Sequence, residues 1–154
     1  MDTLLLNKDI GLAASDKLIV ISLAARLTVK LIEDMAVAST PHRARYGPDA
    51  MCLTLLKPNV ALPDDAAREH LRVVNARPDS ARTSVVVIDE PGFWAAAMRG
   101  ILAGMALASP TAPRGAPSVG DALATLAPRL STGSDLAELE RVILGFRATH
   151  LALR

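Results

Sequence analysis

Residues 82–109, RTSVVVIDEPGFWAAAMRGILAGMALAS, decide how this chain folds. Four consecutive β-branched residues, Val85 to Ile88, leave no face for solvent, so the run Ser84–Ile88 reads as a strand covered on both sides. Asp89-Glu90-Pro91-Gly92 then makes a turn. Pro91 is tolerated at a helix start, and Asp89 or Glu90 is placed to cap the first turn and complement the helix dipole. The helix that follows, Phe93 to Ser109, is rich in small residues. Phe93, Ala97, Ile101, Met105 and Ala108 recur at helical spacing and predict the buried stripe. Ala96, Gly100, Ala103 and Gly104 keep the neighbouring faces thin, which predicts close packing on a sheet. Gly100 and Gly104 also form a G-x-x-x-G pair, but the apolar run holds only 17 residues and contains Arg99, too short and too charged for a bilayer span.

Outward from this unit the chain alternates strands and helices. Ile10–Ala14 and Leu18–Leu23 form a hairpin about Ser15-Asp16-Lys17, and Leu4–Lys8 is at most a short extra strand. Thr28 caps a helix from Val29, with Leu31, Ile32, Met35, Ala36 and Ala38 inward, that Pro41 ends or kinks. Ala50–Leu56 reads as a buried strand and Asp64–Asn75 as a helix with Ala67, Leu71 and Val74 inward. The proline-rich segment 110–117 has room for one edge strand. Ser118 caps a helix to about Ala127. A last helix from Ser134 or Asp135 carries Leu136, Leu139, Ile143, Phe146, His150 and Leu153 at alternating spacings of three and four. That a/d seam packs on the chain's own sheet or pairs with a second copy; as a candidate dimer seam it comprises Leu136, Leu139, Ile143, Phe146 and His150. The predicted fold class is therefore α/β, a single mixed sheet of four to five strands packed with four to five helices. Residues 1–133 form the domain, and 134–154 a C-terminal amphipathic helix packed on it or on a partner.

Bulk composition narrows the function. The 154 residues are 51% hydrophobic and 21% charged, as in a globular domain, and a formal net charge of +1 gives no general drive toward nucleic acid or anionic lipid. Phe93, Trp94, Phe146 and Tyr46 are the only aromatic residues, too few for base-stacking platforms. A single cysteine, Cys52, excludes an internal disulfide and a thiolate-rich zinc site. It lies mid-strand and reads as an inert core thiol. The amino-terminal residues lack a basic region and a long apolar run, so no signal peptide is expected and a bacterial-type cytoplasm is the default location.

The order hairpin, helix, strand, helix, strand, helix, weak strand, helix is similar to STAS-type domains, the class of the SpoIIAA-like anti-sigma-factor antagonists. Residues 16–22, Met51–Leu56, Ser84–Ser109 and 120–126 carry the resemblance, over roughly residues 10–128. It implies a small regulatory domain that docks on protein partners. Those antagonists carry a phosphorylatable serine at the start of the helix after a central strand. Here Lys57–Asp64 and Asp89–Gly92 contain no hydroxyl residue, so a phospho-switch does not follow.

The chain lacks the G-x-x-x-x-G-K-[ST] and G-x-G-x-x-G phosphate cradles, and His42, His70 and His150 are scattered without metal-ligand spacing. Asp64-Asp65 and Asp89-Glu90 sit where helix starts favour negative charge, which explains them better than acid–base catalysis does. Arg43, Arg45, Arg68, Arg72 and Arg77 either gather into an anion-binding patch or lie on solvated helix faces. The sequence thus points to a non-catalytic interaction module needing no cofactor, with Asp89, Glu90, Trp94, Arg43, Arg45 and Arg72 as candidate partner-binding residues. A small apolar ligand or lipid held beneath the Phe93–Ser109 helix is the alternative, and an enzyme the third.

Overall fold

The computed structural model describes residues 1–153. Six strands, β1 (Asp2–Leu6), β2 (Ile10–Ser15), β3 (Leu18–Leu23), β4 (Met51–Leu56), β5 (Thr83–Val87) and β6 (Arg114–Ala116), form one mixed sheet in sequential order. β1, β2 and β3 are antiparallel neighbours, and β3 to β6 run parallel. The helices are α1 (Val29–Ala38), α2 (Thr40–Tyr46), α3 (Asp65–Asn75), α4 (Phe93–Ala108), α5 (Val119–Leu126) and α6 (Leu136–Leu151). The expected α/β class holds, with six strands and six helices in place of four or five of each.

Local chemistry explains both additions. The Asn7 side-chain oxygen accepts the N–H groups of Asp9 and Ile10 at 2.9 and 3.0 Å, a turn that folds Asp2–Leu6 back along β2 as a full strand. Pro41 does not simply end the first helix. It occupies the first turn of a new one, where its missing N–H has no helical partner to lose, and so α2 begins at Thr40. The anticipated caps at Thr28, Asp64, Ser118 and Asp135 each accept a backbone N–H.

The period-two alternation of strand side chains divides the core into two layers. Leu18, Val20, Met51, Leu53, Leu55, Val85 and Val87 face α5 and α6, which contribute Val119, Ala122, Leu123, Leu126 and Ile143. Leu23, Leu56, Val86 and Ile88 face the other way, toward Leu31 and Met35 of α1 and Ala95 and Leu102 of α4. β5 is covered on both faces, as its four β-branched residues require. Successive right-handed crossovers in one direction keep α1 and α4 on the same face, and only after edge strand β6 does the chain cross to the other.

One expectation about α4 is overturned. Its buried residues are Ala95 and Leu102, with Trp94 and Met98 partly covered, while Phe93, Ala97, Ile101, Met105 and Ala108 are exposed. Gly100 and Gly104 do not touch the sheet: a Cβ built at either would meet nothing within 4 Å. Both sides of this helix are apolar, so periodicity alone did not distinguish them.

Candidate interaction surface

The turn after β5 was expected to cap α4 and offer carboxylates to a partner. The helix instead starts at Gly92, whose φ of 111° only glycine adopts readily, with no side-chain cap. Asp89 turns to Arg147 of α6 and accepts from both ends of its guanidinium, while Arg147 also donates to the Leu56 carbonyl at 2.9 Å. These hydrogen bonds, with the adjacent positive charge, hold the Asp89 carboxyl below its ordinary value of 3.8. Asp89 therefore fastens α6 across the carboxyl ends of β4 and β5. Trp94 is partly buried and donates its indole N–H to the Val60 carbonyl at 3.1 Å, a packing role. Glu90 stays exposed.

Several arginines of the expected basic patch are engaged within the chain. Arg43 bonds Asp79 at 3.0 Å and the Ala36 carbonyl at 2.7 Å, Arg72 pairs with Glu69, and Arg68 with Asp65. Arg45 lies over the Tyr46 ring, 5.1 Å from its centre. Arg43, Arg68 and Arg72 are thus balanced by carboxylates, while Arg45 and Arg77 have no acidic partner among the described residues.

The proposed dimer seam is likewise closed. Ile143 and His150 are fully buried, Leu139 and Phe146 pack against the core, and Leu136 is partly covered. His150 Nδ1 lies 2.7 Å from the Ser22 hydroxyl on β3. Gly11 on β2 makes this approach possible, since a Cβ there would stand 2.9 Å from Phe146 Cζ and 3.1 Å from His150 Cγ. The heptad spacing is real, but what fills it is the chain's own sheet, with residues 134–151 part of the domain.

The outer face of α4 remains open. Of its sixteen residues twelve are exposed, and among those Arg99 alone is charged. Phe93 and Leu107, 91% and 93% exposed, stand about 21 Å apart along the helix at either side of Gly100, on nearly one line because seven residues make almost two turns. Ala96, Gly100 and Gly104 lie between them and continue to Ala108, just beyond Leu107, as a row at i+4 spacing, a groove flanked by the two bulky residues. The sequence named Phe93 but turned it inward, and it passed over Leu107. The available signal was the rival stripe Trp94, Ala95, Met98 and Leu102, which carries the largest side chain of the helix.

Among the described residues, no group of three or more His, Cys, Asp or Glu side chains is placed to hold a metal ion, and no helix is long and apolar enough to cross a membrane. No family model matches the chain, and no curated protein or solved structure is detectably similar to it.

Proposed function

We propose that this chain is a non-catalytic interaction module of STAS-like type that docks through the outer face of α4, and that the occupant this face fits is a second copy of the chain. The observation that carries the reading is the apolar, unpartnered surface from Phe93 to Leu107, in which Arg99 is the one charged residue. Surfaces of this kind mark interaction sites in soluble proteins. The sequential element order, an opening hairpin followed by helix-linked parallel strands, supports the STAS-like part.

Self-association follows from shape. The row Phe93, Ala97, Ile101, Met105 is a ridge beside the groove Ala96, Gly100, Gly104, Ala108, both inclined at i+4. Two copies related by a twofold axis place each ridge in the other's groove, crossing at about −50°. Close approach at Gly100 and Gly104 leaves the widening ends for Phe93 and Leu107 to fill. Because each copy gives one helix face, the dimer belongs to the small, dilution-sensitive class.

Sedimentation velocity over a concentration series tests this. The wild type should show a reversible monomer–dimer equilibrium. The double variant Phe93→Asp, Leu107→Lys should be a folded monomer with an unchanged circular dichroism spectrum, since both sites are exposed and each new charge suits its end of the helix. A wild type that is monomeric throughout, or a dimer that survives in the variant, overturns the reading.

One observation favours the small-ligand alternative. A cleft of about 240 Å³ lies between α4 and β6, lined by Leu102, Ala103, Ala106, Ala116 and Pro117 together with Arg99 and Arg114. It falls below the usual range for drug-sized ligands, roughly 300–1,000 Å³. A stoichiometric adduct in native mass spectrometry would move this reading ahead.

A further inference from the structure

The arginines that do converge are ones the sequence keeps far apart. Arg82, just before β5, Arg114 on β6 and Arg129, in the 3₁₀ turn after α5, line a single cleft of about 250 Å³ together with Thr83. No carboxylate lines it. Five arginines, Arg43, Arg68, Arg72, Arg141 and Arg147, each pair with an aspartate or glutamate, while Arg26, Arg45, Arg77 and Arg99 do not and do not line this cleft. Among the described residues, none of the three cleft arginines has such a pair.

We infer that this cleft binds a phosphate-type oxyanion, either free or carried on a small monoester. Three like charges around one concavity repel each other, and an anion between them removes that repulsion. Arg129 is held in place by donating to Thr83 Oγ1, which ties the turn after α5 to the start of β5 and leaves the Thr83 hydroxyl proton free to donate. Arg114 lies opposite Val85 in the parallel register, so its side chain rises on the same face as Thr83 and α5. Guanidinium forks present several N–H groups in a plane, the geometry that tetrahedral oxyanions accept two at a time. The volume holds a phosphate group and a short ester but not a nucleotide-sized ligand. The site also lies at the amino ends of the parallel strands, the opposite end from the Arg147–Asp89 pair.

The test is a ¹⁵N-resolved titration with inorganic phosphate at constant ionic strength, balanced with chloride, and a parallel arm with glycerol phosphate. The expected result is saturable shifts at the amides of residues 82–85, 114, 125 and 129, with a melting temperature that rises with phosphate and not with chloride. Equal affinity in both arms identifies the oxyanion alone as the ligand, and monoester binding at least about tenfold tighter identifies the ester. The double variant Arg114→Gln, Arg129→Gln, at two exposed positions, should keep its fold and lose saturation in both arms. Non-saturating shifts spread equally over Arg26, Arg45 and Arg77, or saturation that persists in the double variant, would refute the site. The cleft lies off the outer face of α4, so this outcome is independent of whether the chain dimerises.

Discussion

Gly11 shows how one missing side chain governs a whole helix. It sits on β2 directly under Phe146 and His150, and the 2.9 Å approach to Phe146 Cζ leaves no room for a methyl group. Gly11→Ala should push α6 outward and cost about 1–3 kcal/mol, the usual range for overpacking a filled site. Urea unfolding measures it, and an unchanged midpoint would mean that the Phe146 ring swings aside at no expense. Nothing in the local text around Ile10-Gly11-Leu12 announces this role, because the atoms that fill the space come from 135 residues or more further along the chain. Asp89 teaches the same lesson with charge. By sequence it belongs to the turn before α4, and helix capping is the obvious local use. The structure spends it on Arg147 instead, because a charge-assisted bidentate pair outweighs one cap hydrogen bond.

At the level of elements, α4 and α6 make a matched pair of opposites. Both are sixteen-residue helices with apolar positions at helical spacing. In α6 the regular seam is the buried side; in α4 the more regular stripe is the exposed one. Ile143→Asp distinguishes the two uses of such a seam. If it faced a partner, the variant would be a folded monomer. With Ile143 fully buried beneath the sheet, an unpaired carboxylate there should cost about 4 kcal/mol or more and abolish cooperative unfolding. A variant that keeps a sharp thermal transition would contradict the buried position. The spacing in residues 136–150 thus revealed that a packed face exists, while its partner was set by the sheet's own need to cover Val20, Leu53 and Val85.

For the whole molecule, the sheet order never reverses among the parallel strands, so the fold has no switch-point crevice of the kind in which α/β proteins bind ligands. The surfaces proposed for interaction lie instead on a helix exterior and at the β6 edge. The same global packing fixes the response to acid. Burial pushes His150 below its ordinary value of 6.5, against smaller contributions from the Asn7 backbone and Asp9. The unfolded chain then binds more protons than the native one as pH falls below 6.5, so stability is full above that value and declines beneath it. Asp89, and Asp16 through its hydrogen bond from Ser131, are held below 3.8, which adds a second loss as pH drops under that value. Urea midpoints between about pH 7 and 5 should therefore fall, and His150→Gln should flatten that segment alone. A flat profile in the wild type would exclude the histidine contribution. By itself the sequence determined most of the elements, the caps at Thr28, Asp64, Ser118 and Asp135, the double coverage of β5 and the α/β class, since these depend on side-chain period and on bonds within a few residues. Only the tertiary structure decided which side of α4 stays bare, that α6 folds inward, that Asp89 fastens it, and that Arg82, Arg114 and Arg129 meet. Those outcomes depend on competition among distant partners for the same apolar faces and charges, and no local spacing records who wins.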